Sequence, residues 1–232
     1  MNPKRHHPPL ALTCPINLLS QNINGLFTKI DFSSGKATRG SIILKYANTK
    51  SIDILAIQEP HLQTDAQRAR AENIFATRGY SLLAPLSPEG RGGVATAWGP
   101  RWTLTNSFSI DPRTLITTFS DSDGNLVSIL NGHFHHDPIK RKRQWATVSK
   151  TLANNPPPNL IFAADHNSII VPSRDAAGPT TQNELPSILA ARSEEVRTLS
   201  QLNLWDTWIA CADQDLEGGG WTWGFPPPPP AQ

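Results

Sequence analysis

Residues 160–167 read Leu-Ile-Phe-Ala-Ala-Asp-His-Asn, an apolar run that ends abruptly in polar residues. The apolar part is too short for an ordinary helix and predicts a strand buried on both faces. Prolines at 156–158 prevent a helix from continuing into it. Such a strand brings a carboxylate and an amide to the rim of a sheet, where layered α/β domains tend to hold their chemistry. The alternative interpretation is an Asx turn that closes the strand.

Two earlier apolar runs end in the same way. Asn22 and Asn24 follow the apolar residues 16–19, and Gln58 and Glu59 end the next run. Asn beside Gly is also common in turns, and Gln-Glu can be simply a polar strand end. If these strand ends share one rim with Asp165, two carboxylates and several amides meet there. Oxygen ligands of this kind suit a hard cation such as Mg²⁺, which keeps waters for a substrate phosphate.

A fourth strand, predicted at 126–134, ends in a further polar group: Asn131, His133, His135 and His136. The histidines raise the alternative of a zinc site. However, strand alternation places His133 and His135 on one face and His136 on the other, and the sequence offers no clear further ligand. No glycine-rich loop followed by lysine occurs, which argues against a nucleotide-binding P-loop.

Composition narrows the class of protein. The 232 residues are 38% hydrophobic and 17% charged, with 21 prolines and a net charge of +2, too small to prove a nucleic-acid partner. Cys14 and Cys211 are the only cysteines, which argues against a disulfide scaffold and a cysteine-based zinc site. No apolar run approaches the roughly 20 residues of a membrane span. The run at 10–12 is too short for a signal peptide, so we expect an intracellular protein.

The chain is predicted to form one domain at 14–224, between a disordered lead at 1–13 and a proline-rich tail at 225–232. We expect helices at 40–47, at 64–77 with Thr64 as N-cap, at 139–153 and at 185–202. Further strands are predicted at 80–86, 93–98, 103–110, 115–119, 205–209 and 221–223, with a hairpin turn at 121–125. Many paired strands with a few helices predict an α+β layered domain, in which two packed sheets account for the doubly apolar strands.

Two helices are expected to bury an apolar face. The first face consists of Ile42, Ile43, Tyr46 and Ala47, and the second of Ile139, Trp145, Val148 and Leu152. The second helix also begins with four basic residues: Lys140, Arg141, Lys142 and Arg143. Such a run is usually a solvated face, and the alternatives are a phosphate-contacting patch or a nuclear localisation signal.

The order of these motifs resembles the endonuclease/exonuclease/phosphatase superfamily. The series consists of Gln-Asn-Ile-Asn-Gly-Leu at 21–26, residues 53–59, Gly-Gly-Val-Ala at 92–95, the strand at 126–134, and Ala-Asp-His-Asn at 164–167. It is most similar to the apurinic-type endonuclease domain that opens the polyprotein of LINE-type (non-LTR) retrotransposons. The resemblance runs from about Ile16 to Trp223. It implies a four-layer αββα sandwich with two packed mixed sheets flanked by helices.

The resemblance also implies a function and roles for single residues. The function is Mg²⁺-assisted hydrolysis of a DNA phosphodiester, with Mn²⁺ as a substitute, no small-molecule cofactor and a nuclear location. Glu59 and Asn24 fall where the family binds metal, and Asn22 where it contacts the phosphate. Asp165 takes the place of the Asp that orients or activates water, and Asn167 that of the Asn that binds the scissile phosphate.

The sequence departs from the family at two places that bear on activity. His133 stands where the family has a tyrosine, although an imidazole can still donate to phosphate. The family closes with an Asp in an Ile-Asp-Tyr-like strand and a terminal Ser-Asp-His, whereas no histidine follows His166 here. We therefore expect a C-terminally truncated domain with a partial Mg²⁺ site and weak or no nuclease activity. Two alternatives stay open: a non-catalytic nucleic-acid-binding remnant that uses the basic run, and a phosphatase or phosphodiesterase acting on a small substrate.

Overall fold

The structure, a computed structural model, describes residues 15–32, 35–87, 90, 92–154, 156–168 and 184–204. The lead at 1–13, the strands expected at 205–209 and 221–223, and the tail at 225–232 lie outside the described residues. The chain divides into two compact units. The first contains the described residues up to His133 together with Pro156–Asp165, and the second those of 134–155 and from His166 onward.

Every strand among the described residues belongs to the first unit. In chain order they are β1 Leu18–Asn22, β2 Lys29–Phe32, β3 Gly35–Thr38, β4 Ile54–Gln58, β5 Ser81–Leu83, β6 Val94–Trp98, β7 Thr103–Asp111, β8 Thr114–Ser120, β9 Leu126–His133 and β10 Leu160–Asp165. One sheet has the order β1-β4-β6-β5 and a second the order β10-β9-β8-β7, while β2 and β3 form a small antiparallel pair. The predicted hairpin at 121–125 is confirmed, since β8 and β9 pair antiparallel across it.

Each large sheet contains one parallel pair of strands beside antiparallel ones. β1 and β4 are parallel, with Asn22 opposite Gln58. β10 and β9 are parallel, with Asp165 opposite His133. Because parallel strands run in the same direction, the polar residues at their carboxyl ends finish at the same edge of each sheet.

The two large sheets pack against each other through an apolar cluster. Its buried members are Ile54, Ala56, Trp102, Phe119, Val127, Ile129 and Ala163. On the other face of the first sheet lie helices α1 (Arg39–Thr49) and α2 (Asp65–Ala76), whose buried residues join Leu55 and Ile57 in a second cluster. Strand β4 is therefore covered on both sides and buried along its whole length, which confirms the doubly apolar strand predicted there.

Local capping fixes where the helices of the first unit begin. Thr64 caps α2 as predicted, and its side chain and that of Gln67 each accept a backbone hydrogen bond from the other residue at 3.2 Å. Thr38 and Ser41 form the same reciprocal capping box at α1. Each box satisfies backbone N–H groups that the first turn of a helix leaves unpaired.

The buried face of α1 differs from the sequence expectation. Gly40, Ile43, Leu44 and Ala47 are buried. Ile42 and Tyr46, which were expected on this face, are 36% and 49% exposed. The buried set follows the spacing i, i+3, i+4, i+7 from Gly40, whose close approach to Leu26 leaves no room for a side chain. The predicted face was therefore rotated by about one residue, or about 100° around the helix axis.

Strand β10 also differs from its prediction. Only Ala163 is buried, and the other residues of β10 are half-buried. Among the described strands β10 lies at the end of its sheet, next to β9 alone, so that it has a neighbour on one side only. The expectation of a strand buried on both faces is correct for β4 and wrong for β10. The pair β2 and β3 was not predicted at all, because β2 alternates over only four residues and β3 has a single apolar residue, Ala37.

The described part of the second unit contains the helices α3 (Pro138–Asn154) and α4 (Pro186–Gln201), which pack together. Both match the helices predicted at 139–153 and 185–202. Trp145, Val148 and Leu152 are buried as expected, but Ile139 is 56% exposed and Arg141 takes the buried position instead. Arg141 lies one turn before Trp145 on the same face, whereas Ile139 lies off that face. None of the helices in the described residues is long and apolar enough to cross a membrane.

Candidate active site

The amide of Asn22 lies between two carboxylates. Its Nδ2 donates to Glu59 Oε1 at 3.0 Å and to Asp165 Oδ2 at 2.7 Å. Its Oδ1 accepts the backbone N–H of Asn24 at 3.0 Å, which fixes the orientation of the amide. The three residues come from the ends of β1, β4 and β10, and therefore from both large sheets of the first unit. The strand ends that the sequence predicted to share a rim do meet there.

Glu59 is also flanked by two histidines. His133 Nε2 lies 3.1 Å from Glu59 Oε1, and His61 Nε2 lies 3.0 Å from Glu59 Oε2. The side chain of His133 is 2% exposed and that of His61 is 25% exposed, so that only His61 faces solvent to any extent. Burial by itself raises the pKa of Glu59, but hydrogen bonds from Asn22 and His61 and the charges of both histidines outweigh it. The pKa of Glu59 consequently lies below its ordinary value and the side chain is a carboxylate at neutral pH.

Arg113 determines which ring nitrogen of His133 carries the proton. Its Nη1 lies 2.9 Å from His133 Nδ1, and its backbone carbonyl accepts the His133 N–H at 2.8 Å. A guanidinium has no lone pair to accept with, so Nδ1 must be the acceptor. The proton of a neutral His133 is therefore on Nε2, the nitrogen that lies 3.1 Å from Glu59 Oε1. His133 thus has a donor nitrogen, not a lone pair, on the side of the site.

The loop residues of the site have unusual backbone conformations. Asn24, Glu59 and His61 have φ values of 44°, 52° and 55°, in the left-handed region that non-glycine residues rarely adopt. The Glu59 carbonyl accepts the N–H of Gly25 at 2.7 Å, and the Glu59 N–H donates to Gly93 at 3.1 Å. These bonds tie the loops after β1, β4 and before β6 together, which offsets the strain at Glu59.

Behind the rim a polar bridge joins the two sheets. Gln58 Nε2 donates to Asn131 Oδ1 at 2.9 Å, and Asn131 Nδ2 donates to the Ala95 carbonyl at 2.8 Å. Both side chains are almost fully buried, at 1% and 0% exposure. Gln58 and Asn131, considered from sequence as polar strand ends, thus hold the sheets together behind the site. Glu59 and His133, one and two residues further on, reach the rim.

Asn24 takes part through its backbone. Its side chain is exposed and makes no hydrogen bond among the described residues, while its N–H supports Asn22 and its carbonyl accepts from Thr28 and Arg39. The metal-binding role assigned to Asn24 stays a prediction.

Asn167 belongs to the second unit. Its Nδ2 donates to the Phe134 carbonyl at 2.7 Å, and its own carbonyl accepts from Arg141 Nη1 at 2.7 Å. Its φ of 46° places it in a left-handed turn, which agrees with the alternative of a turn that closes the strand. The phosphate-binding role of Asn167 stays a prediction.

The basic run at the start of α3 is not one continuous surface. Arg141 is 5% exposed and also donates to the carbonyls of His135 and His136, each at 3.0 Å. Lys140, Lys142 and Arg143 are exposed. Three carbonyl partners give Arg141 a structural role, and only the other three basic residues are placed to meet an external phosphate.

The donor set at the rim fits a divalent cation. Glu59 and Asp165 supply carboxylate oxygens, and His61 adds a ring nitrogen on the more exposed side. Sequence reasoning missed His61 and Arg113. His61 was open to inference, since it lies two residues after Glu59, whereas nothing in the local sequence marks Arg113.

Comparisons with known proteins identify the fold. The sequence matches no protein-family model, and no curated protein matches it significantly. The AP endonuclease LMAP from Leishmania major matches with a TM-score of 0.60 and 16% identity, over 81% of this chain and 67% of that chain. An AP endonuclease from Archaeoglobus fulgidus gives a TM-score of 0.61 and 16% identity, over 81% of this chain and 71% of that one.

A third solved structure is the endonuclease domain of TRAS1, a telomere-specific non-LTR retrotransposon. It matches with a TM-score of 0.51 and 15% identity, over 81% of this chain and 71% of that one. Identities this low establish the fold and nothing finer. Two packed mixed sheets with helices thus give this chain the fold of the AP endonucleases, the fold of the endonuclease/exonuclease/phosphatase superfamily that its sequence motifs resemble.

Proposed function

We propose that this chain is a divalent-cation-dependent phosphodiesterase that cleaves DNA, with its site at the rim formed by Asn22, Glu59 and Asp165. The observation that carries the proposal is the Asn22 amide, which bridges Glu59 and Asp165 at 3.0 and 2.7 Å. This bridge sets two carboxylates side by side at one edge of the paired sheets. Cation-assisted attack of water on a phosphodiester needs such a pair, one carboxylate to hold the cation and one to handle a proton.

The residues have separate tasks in the proposed reaction. Glu59 would hold the cation, which when bound neutralises charge that develops on the phosphate oxygens. Asp165 accepts a proton from the attacking water at a carboxylate oxygen. Asn22 keeps both carboxylates in place through Nδ2. His133, whose Nε2 lies 3.1 Å from Glu59 Oε1, would help to position that carboxylate, because its side chain is too buried to meet a phosphate oxygen.

We further propose that the nuclease serves a retroelement and that Mg²⁺ supports its reaction. The support for the first part is the order of the sequence motifs, together with the shared fold of the TRAS1 endonuclease domain. The genomic sequence after the codon for Gln232 tests it. A reading frame that continues into a reverse transcriptase supports a retroelement, and an unrelated gene product there contradicts it.

A nicking assay on supercoiled plasmid tests the reaction itself, with Mg²⁺ and with Mn²⁺. We expect cation-dependent nicking, because Glu59 and Asp165 supply a cation ligand and a proton acceptor at one rim. Asp165→Ala is expected to abolish that nicking through loss of the proton acceptor. Asp123→Ala is the matched control, because Asp123 is exposed in the β8–β9 hairpin, at the opposite end of β9 from His133.

Further outcomes of these measurements distinguish the proposed nuclease from its two alternatives. Nicking that survives Asp165→Ala contradicts the proposed role of Asp165, and absence of any cation binding by calorimetry contradicts the site. Cleavage of a soluble phosphoester without nicking of DNA would favour the alternative of a small-substrate phosphatase. Binding of DNA without hydrolysis would favour the non-catalytic alternative, in which Lys140, Lys142 and Arg143 make salt-dependent phosphate contacts.

A further inference from the structure

His61 occupies the side of Glu59 that the rest of the site leaves open. Glu59 Oε1 faces Asn22 at 3.0 Å and His133 at 3.1 Å. Glu59 Oε2 faces His61 Nε2 at 3.0 Å. Among the described residues, His61 makes no other hydrogen bond. The second oxygen of Glu59 and the ring of His61 therefore form a pair with no competing protein donor between them.

The two histidines beside Glu59 differ in what their ring nitrogens can do. Arg113 donates to Nδ1 of His133 and so keeps the proton of a neutral ring on Nε2, where it blocks metal ligation by that atom. His61 has no such constraint. With its proton on Nδ1 it presents the Nε2 lone pair beside Glu59 Oε2. His61 is also the more accessible, at 25% exposure against 2% for His133.

The backbone holds His61 in this place at an energetic cost. Glu59 and His61, on either side of Pro60, have φ values of 52° and 55°. Left-handed conformations in residues other than glycine are strained, and they concentrate at functional sites. The ring also needs Gly25, since a Cβ on that residue would lie 3.2 Å from His61 Nδ1 and 2.4 Å from Thr28 Oγ1. Two strained residues and a required glycine thus bring the side chains of Glu59 and His61 together.

The separation of His61 Nε2 and Glu59 Oε2 suits two ligands of one cation. Ligand atoms about 2.1 Å from a metal and at a right angle to each other lie about 3.0 Å apart. Mg²⁺ prefers oxygen ligands and gains little from an imidazole, whereas Co²⁺ and Zn²⁺ bind imidazole well. A nitrogen donor at this position therefore changes which cation the site favours.

We propose that His61 is a nitrogen ligand of the cation held at Glu59 and makes the site prefer first-row transition cations such as Co²⁺ and Zn²⁺ to Mg²⁺. The inference rests on the proposed function in that it assumes a cation at Glu59. It differs from a zinc site built on the histidines at 133, 135 and 136, because the nitrogen comes from the loop after β4. It assigns opposite roles to two neighbouring histidines, His61 as ligand and His133 as donor.

The test is cation binding to the full chain without DNA, measured by calorimetry with Co²⁺ and with Mg²⁺ and by the visible spectrum of bound Co²⁺. His61→Gln keeps an amide donor for Glu59 but lacks the imidazole nitrogen, and His133→Gln is its matched comparison in the same site. Glu59→Gln removes the cation site, and Glu72→Gln makes the same change at an exposed carboxylate of α2. Thermal unfolding of each variant verifies that it is folded.

We expect the wild-type chain to bind Co²⁺ at least tenfold more tightly than Mg²⁺. His61→Gln should weaken the binding of Co²⁺ roughly 10–100-fold and change the affinity for Mg²⁺ little. The Co²⁺ absorption bands should shift in His61→Gln and stay in place in His133→Gln. If the ratio of Co²⁺ affinity to Mg²⁺ affinity is unchanged in His61→Gln, the inference is overturned. The proposed function stays intact in that case, provided that Glu59→Gln no longer binds either cation. Equal loss of both cations in His61→Gln also overturns it, because His61 would then only position Glu59. Failure of the wild-type chain to bind any cation contradicts the proposed function itself.

Discussion

The space between the two large sheets has an apolar end and a polar end. Along each of four strands, every second residue faces this space, and the residues change from apolar to polar towards the rim. The inward series are Leu18, Ser20 and Asn22 on β1; Ile54, Ala56 and Gln58 on β4; Val127, Ile129, Asn131 and His133 on β9; and Ile161, Ala163 and Asp165 on β10. Both ends are packed, but only one of them carries groups that can do chemistry.

The difference between the apolar end and the polar end shows how separate groups of residues can provide the stability of the domain and the geometry of its site. Buried apolar side chains contribute about 1.5–3 kcal/mol each by leaving water. The buried amides of Gln58 and Asn131 gain much less, since their hydrogen bonds replace bonds to water. These amides instead fix the position of the two sheets relative to each other, because a hydrogen-bonded amide pair has one favourable geometry whereas an apolar contact has many. The polar end therefore fixes the strand ends that carry Glu59 and Asp165.

The largest effect is expected from Phe119→Ala at the apolar end. Phe119 is fully buried and packs against Trp98 with ring centroids 5.4 Å apart. Its truncation should lower the free energy of unfolding by about 3–5 kcal/mol, from lost burial and from the cavity left behind. Urea unfolding measures this loss. If the two ends act separately, cation affinity measured by calorimetry on the folded variant should not change; a parallel loss of affinity would contradict the division.

A smaller loss of stability but a larger loss of function is expected from Asn131→Ala. This change removes the nearest acceptor of Gln58 Nε2, whose other acceptors lie at 3.2–3.4 Å, and the weakened buried pairing costs about 1–3 kcal/mol. Cation affinity should fall as well, because the sheets are no longer held in one position behind Glu59. Asn106→Ala on β7 is the matched control, since Asn106 is exposed. Unchanged cation affinity in a destabilised Asn131→Ala protein would show that the bridge contributes stability alone.

The smallest effect concerns a carboxylate at the apolar end, Asp121 in the β8–β9 hairpin. The side chain of Asn125 donates to it at 2.9 Å, and backbone N–H groups of Asn125 and Asp123 at 2.8 and 2.9 Å. These bonds hold the pKa of Asp121 below its ordinary value, with the Asn125 side chain as the largest cause. The unfolded chain therefore binds a proton more readily than the folded one, and stability rises with pH through this window.

The contribution of the Asp121 charge to the free energy of unfolding is complete above the ordinary aspartate pKa of about 3.9. It is lost as the pH falls through the lowered pKa of Asp121 in the folded chain. Asp121→Asn should therefore lower the melting temperature slightly at neutral pH and less in acid. Thermal unfolding at both pH values measures the difference. A variant whose melting temperature falls equally at both would show that the charge of Asp121 is not what the turn uses.

Much of the fold could be predicted from local patterns. The helix that Thr64 caps, the hairpin at 121–125 and the strands other than β2 and β3 follow from capping, turn and apolar signals that act over a few residues. The face of α1 could not be predicted in this way, because Ile42 and Tyr46 are as apolar as the residues that are buried. Contact with Leu26 at Gly40 decides which side faces inward. Arg141 is likewise buried in place of Ile139 because backbone carbonyl groups accept its hydrogen bonds there.

The site was predictable in part. Asn22, Glu59 and Asp165 are recognisable as strand ends, and parallel pairing brings Asn22 beside Glu59 in one sheet and Asp165 beside His133 in the other. His61 and Arg113 were missed, although each contacts a side chain of the site. Nothing in a linear pattern shows that a residue in the turn between β7 and β8 reaches the ring of His133.

The sequence by itself determined where strands begin and end and that their inward faces become polar towards one end, because strand alternation and apolar patterning are local. Only the tertiary structure decided that Asn22 joins Glu59 to Asp165 across two sheets. It alone set which nitrogen of His133 carries a proton and brought His61 against Glu59. Those contacts join residues far apart in the chain or turned by strained backbone, and their geometry is fixed only once the sheets have packed.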